Sequence, residues 1–215
     1  MKRLFLSGLF CLFVTISAQA DPFVILPNGE LAFTTSFTTQ GTFTCEVCTG
    51  SGTSTIVLGS GADALTLTFI GVNTTVLVGG TAVPATVGQI QVTGSSSGFP
   101  LNNNPNVRLV QLNLQINQSS PTAGGRTRPF VSDPGGGSTL AFVPFLSDHV
   151  EFPSGPNPFS FTQIVYTFAG FTLPASDALV DINAELVAVP EPATLLLFGS
   201  GAGIVSLLRR RFAKH

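Results

Sequence analysis

Val110-Gln111-Leu112-Asn113-Leu114-Gln115-Ile116-Asn117 decides how the middle of this chain folds. Successive side chains of a strand point to opposite faces, so Val110, Leu112, Leu114 and Ile116 share one face and the four amides share the other. One dry face and one wet face describe a half-buried antiparallel strand.

The same period of two extends outward in both directions. It appears at Leu31 to Phe37, Leu65 to Phe69, Val87 to Val92, Ile164 to Phe168 and Val180 to Leu186, with shorter apolar runs at Ile56 to Leu58, Val76 to Val78 and Leu140 to Val143. Turn-forming clusters separate these runs: Pro27-Asn28-Gly29, Gly59-Ser60-Gly61, Gly79-Gly80, Asn102 to Pro105, Gly124-Gly125, Pro134 to Gly137 and Gly155 to Pro158. Nine or ten short strands with such punctuation predict an all-β body, a single antiparallel β-sandwich with jelly-roll or Greek-key connections. No fixed-period repeat interrupts the pattern.

The two ends read differently from the body. Met1-Lys2-Arg3, an apolar stretch from Leu4 to Ile16 and Ala18-Gln19-Ala20 form the three parts of a secretory signal peptide, so residues 1–20 are expected to be removed and the mature chain to begin at Asp21. Cys11 would leave with it; bulky Phe10 before it argues against a lipoprotein signal. At the other end, residues 193–208 carry no charge. As a helix they would span roughly 24 Å, less than the roughly 30 Å hydrocarbon core, so the expected transmembrane helix is a marginal one. Arg209, Arg210, Arg211 and Lys214 follow at once and are expected to hold the C-terminus in the cytoplasm, which leaves the body outside.

An ordinary anchor does not account for Val189-Pro190-Glu191-Pro192. This triplet, the short glycine-bearing apolar run directly after it and the arginine cluster at the extreme C-terminus resemble the PEP-CTERM sorting signal of bacterial exported proteins. The resemblance covers residues 189–215. It implies an exosortase as partner, which recognises Pro190, Glu191 and Pro192. It also implies a membrane-anchored precursor exported across the inner membrane, and delivery to the cell surface or extracellular matrix, in an exopolysaccharide or biofilm setting. The two prolines fit this physically, because they keep the triplet extended at the membrane face where a groove can bind it. A lipid-anchor signal of the eukaryotic kind would end without the basic cluster.

Between these ends lie residues 21–188, enough for one domain with a core. Of the nine basic residues only Arg108, Arg126 and Arg128 fall here, against ten acids, so the body carries a charge of about −7. This charge disfavours nucleic acid, and none is expected as a partner, since phosphate binding depends on clustered Lys and Arg. Cys45-Glu46-Val47-Cys48 has neither the helix nor the parallel sheet of a redox motif, and too few further ligands for zinc. In an oxidising exterior a local Cys45–Cys48 disulfide is expected. His149, in Ser147-Asp148-His149-Val150-Glu151, lacks the context of a hydrolase nucleophile. Asp148 with Glu151 and Asp181 with Glu185 are the carboxylate pairs available for glycoside hydrolysis, in a chain with no Trp and only Tyr166 to stack a sugar. Asp133-Pro134-Gly135-Gly136-Gly137 lacks the spaced carboxylates of a calcium loop, which leaves a structural calcium ion without a strong candidate.

No catalytic residue, cofactor or metal site is therefore expected, and the first expectation is a non-enzymatic surface or matrix protein of structural or adhesive role. The alternatives are a glycan-binding module, with exopolysaccharide as its partner, permanently anchored by the single span, and a secreted hydrolase.

Overall fold

The computed structural model describes residues 23–46, 48–61, 64–94, 110–120, 123–133, 139–152, 162–174 and 177–190. The expected signal peptide 1–20, the expected helix 193–208, Glu191, Pro192, Arg209, Arg210, Arg211 and Lys214 lie outside the described residues. Among the described residues no helix is long and apolar enough to cross a membrane.

Thirteen strands are present among these residues: β1 (Phe23–Ile25), β2 (Leu31–Thr44), β3 (Thr55–Leu58), β4 (Leu65–Ile70), β5 (Asn73–Val78), β6 (Val83–Thr93), β7 (Gln111–Ser120), β8 (Gly124–Asp133), β9 (Thr139–Pro144), β10 (His149–Phe152), β11 (Thr162–Phe168), β12 (Phe171–Pro174) and β13 (Ala178–Pro190). The nine runs read from the sequence are β2 to β7, β9, β11 and β13. The four others correct the expected count of nine or ten. β1, β10 and β12 have only three or four residues, too few to display a period, and β8 begins at the Gly124-Gly125 pair that reads as a turn.

Two antiparallel sheets result. The first has the order β1-β2-β7-β8-β9-β12, with β5 on the opposite edge of β2; the second has the order β10-β11-β13-β6-β4-β3. Hairpins join β1 to β2, β3 to β4, β7 to β8 to β9, and β10 to β11, while the remaining connections cross between the sheets. Their inner faces share one hydrophobic core, to which Phe37, Leu112, Leu114, Ile116 and Phe130 contribute from the first sheet and Leu67, Ile90, Ile164, Tyr166 and Leu186 from the second. The rings of Phe37 and Tyr166 meet edge-on across the layers at 5.5 Å, and those of Phe130 and Phe168 at 5.6 Å. The phenol of Tyr166 donates to Gln118 Oε1 at 3.0 Å, so the one buried hydroxyl of an aromatic residue is paired across the core. Burial pushes its pKa upward.

Two local devices fit the sheets to each other. Phe69 lies between Gly41 of the first sheet and Gly88 of the second, and a Cβ at either glycine would overlap its ring. In β6 the pairing with β13 slips between Ile182 and Asn183, so that Val87 is an extra residue. Val87 and Gly88 are both buried, and the inward positions change from Ala85 and Val87 to Gly88, Ile90 and Val92.

Candidate functional site

The C-terminal strand ends where the proline-flanked glutamate begins. β13 is flanked by β11 and β6. Its last three residues, Ala188, Val189 and Pro190, are opposite Ile164, Gln163 and Thr162 of β11. Ala188 is 4% exposed, and its N–H donates to the Gly79 carbonyl at 2.7 Å. Pro190 has no N–H to offer the ladder, and proline is tolerated at such a strand end. The expected boundary between residues 188 and 189 therefore falls inside a strand; the fold reaches Pro190 itself.

The neighbouring loops gather at this same end. Glu30, in the β1–β2 turn, accepts from the Thr81 amide through Oε1 at 2.8 Å and from Asn28 Nδ2 through Oε2 at 3.2 Å. These bonds, the Thr81 amide first, hold its carboxyl below the ordinary value. Glu30 thus joins the β1–β2 turn to the β5–β6 connection, and Gly79 joins that connection to β13. Pro190 leaves the body at this end, and β1 runs toward it, from Phe23 opposite Phe33 to Ile25 opposite Leu31.

Comparison with known families decides what this end carries. Residues 188–211 match the family model of the PEP-CTERM protein-sorting motif. The chain carries a PEP-CTERM sorting signal. This motif implies an exported protein whose membrane-anchored precursor is processed by an exosortase on its way to the cell surface. Neither a curated protein nor a solved structure matches the chain.

The other residues singled out in the sequence are spread over the body, Cys45 and Cys48 farthest from the PEP-CTERM exit and Glu151 level with Val187. Cys45 and Cys48 are joined as a disulfide, with Cα atoms 5.9 Å apart, at the opposite end of β2. Around it the chain doubles back: Gly52 N–H donates to the Phe43 carbonyl, Phe43 N–H to the Thr53 carbonyl and Cys45 N–H to Ser51 Oγ. The loop borders an open depression of about 440 Å³ lined by Thr44, Cys45, Glu46, Ser51, Val110, Gln111, Val131 and Phe145. No sequence signal announces this depression, because its walls come from four separate segments.

His149 starts β10 and is exposed. Its Nδ1 is 3.1 Å from Asp148 Oδ1 and its Nε2 3.7 Å from Glu151 Oε1. The hydrogen bond to His149 lowers the Asp148 pKa, helped by the more distant Arg128. Ser147 Oγ is 3.4 Å from the same Nδ1 that faces Asp148, while it also bonds the His149 main chain. Serine and acid thus crowd one ring nitrogen, whereas a triad needs them on opposite nitrogens. Asp181 and Glu185 both face outward on β13 four residues apart, about 13 Å along a strand, which exceeds the separation used by either class of glycoside hydrolase. Asp181 accepts instead from Gln89 Nε2 at 2.7 Å.

Arg128 points inward from β8 and is 7% exposed, with no hydrogen-bond partner at Nε or Nη2. Desolvation pulls its pKa down and Asp148 opposes that shift. No group of three or more His, Cys, Asp or Glu residues among the described residues has the geometry to hold a metal ion. The Pro134 to Gly137 part of the glycine-rich loop lies outside them.

Proposed function

We propose that this chain is a non-enzymatic exported protein whose β-sandwich body serves a structural or adhesive role at the cell surface or in the matrix. Residues 1–20 direct export and are removed. Residues 193–208 then hold the precursor in the inner membrane with Arg209, Arg210, Arg211 and Lys214 on the cytoplasmic side. An exosortase recognises Pro190, Glu191 and Pro192 and frees the body from this tail.

The observation that carries the reading is the PEP-CTERM match at residues 188–211, which starts inside the last strand of the folded body. The described pairing of β13 reaches Pro190, and Glu191 and Pro192 follow it directly in sequence. The structural role is supported by the outer face of the first sheet. There Gln111, Asn113, Gln115 and Asn117 of β7 stand opposite Thr44, Thr42, Gln40 and Thr38 of β2, an uncharged amide and hydroxyl surface. Such a surface suits hydrogen-bonded contact with a neutral polymer and offers no nucleophile activated by a base.

The test is to express the full chain in a host with its exosortase and follow the wild type beside a Pro190→Ala/Glu191→Ala/Pro192→Ala variant. The wild type is expected to appear shortened outside the inner membrane and the variant to be exported but retained there at full length. Equal release of the two would refute the sorting role of the triplet.

A further inference from the structure

We propose that, in the precursor, the end of the body that carries Pro190 lies on the outer surface of the bilayer, with Val24, Ile25 and Val189 in the lipid–water interface. The proposal rests on the sorting reading above and goes beyond it by fixing which surface of the body meets the membrane.

Tether length is the first argument. Only Glu191 and Pro192 separate the end of β13 from the expected span at Ala193, and two residues reach about 7 Å in any conformation. The β1–β2 turn lies beside the C-terminal tether, because β1 runs toward this end from Phe23 to Ile25, Glu30 holds the turn against Thr81 and Gly79 is bonded to Ala188. A body tied this closely cannot hold that end away from the headgroups.

The chemistry of the surface is the second argument. Ile25 is 64% exposed, Val24 48% and Val189 40%. Of the carboxylates toward this end, Glu30 is engaged by Thr81 and Asn28, and Glu151, level with Val187, lies two strands from β13 on the edge strand β10. Arg126, whose Nε donates to the Glu151 carbonyl, is the one described cation toward this end, and Arg128 is buried. Contact therefore comes from apolar side chains at the depth of the headgroups, and no polybasic attraction to anionic lipid is involved.

The absence of tryptophan makes the test clean. The full chain carrying Ile25→Trp is reconstituted in phosphatidylcholine vesicles with or without brominated acyl chains, beside a chain carrying Thr93→Trp at the far end of β6. Ile25→Trp is expected to lose about half of its emission in the brominated vesicles, as an indole in the interface would, whereas Thr93→Trp keeps its intensity. Protection of the tail from added protease is measured on the same samples. A protected tail with unquenched Ile25→Trp overturns the proposal and leaves the sorting reading standing; pairing of two copies through this end would give the same optical result and appear as cross-linked dimer. An unprotected tail overturns both.

Discussion

The two ends of the body are closed by different means. At the Pro190 end, strands run on until the tail begins, and the loops are joined by main-chain bonds and the Glu30 carboxylate. At the other end, at the far terminus of β2 some 45 Å away by strand length, a four-residue disulfide and a tight turn replace strand pairing. The difference follows from what each end is attached to. A segment continuous with a membrane tail gains order from long-range pairing that a pull on the tail cannot easily unzip, since β13 is flanked by β11 and β6. A free tip has no such neighbour, and a covalent closure there orders the chain with few residues.

The sharpest way to break this contrast is to put a charge into the last residues of β13. Ala188 is buried and Val189 is 40% exposed, although they are adjacent. Ala188→Asp is expected to cost about 3 kcal/mol in equilibrium urea unfolding of the exported domain, because the carboxylate has no partner in the core. Val189→Asp is expected to stay within about 0.5 kcal/mol. Equal costs would mean that the inside–outside alternation does not persist to the end of the strand.

How far the ends could be read in advance depended on what faces inward. β4, β7, β11 and β13 were legible because an apolar or aromatic residue falls at every second position, such as Leu112, Leu114 and Ile116. The length of β2 was hidden because its inward positions include Thr35, Thr39 and Gly41. β8 was hidden by two apparent breakers, Gly124-Gly125 and Pro129, and by Arg128 and Ser132 on its inner face. The first half of β6 was masked by the bulge at Val87, which shifts the period. The sorting triplet and the Cys45–Cys48 pairing were legible because each is local in sequence. The reach of β13 to Pro190 was not, since Thr162, Gln163 and Ile164 supply it from more than twenty residues away, and the depression beside Cys45 depends on the same kind of distant pairing.

At the tip, the replacement Cys45→Ser/Cys48→Ser gives the intermediate effect. Closing so small a loop is worth at most about 2 kcal/mol by chain entropy, so the urea midpoint is expected to fall modestly while processing at the other end proceeds at the wild-type rate. A loss of processing would show that the ends are coupled and that the separation drawn between them is wrong.

The smallest effect distinguishes the ends by pH. The Glu30 carboxyl titrates below its ordinary value of 4.5 because the folded state supplies the Thr81 amide and Asn28 as donors to its charged form. A group with a depressed folded pKa contributes its stabilisation above the unfolded pKa and loses it as pH falls through the folded value. In an NMR titration from neutral to acid pH, the Thr81 amide is expected to shift with a midpoint below 4.5, and Glu30→Gln to abolish the shift. The Gly52 amide at the tip, bonded to the Phe43 carbonyl, has no carboxylate acceptor to lose and is expected to stay in place. A Thr81 midpoint at or above the ordinary glutamate value would mean that the carboxylate does not join the two loops in solution, and the Pro190 end would then rest on its main-chain pairing alone.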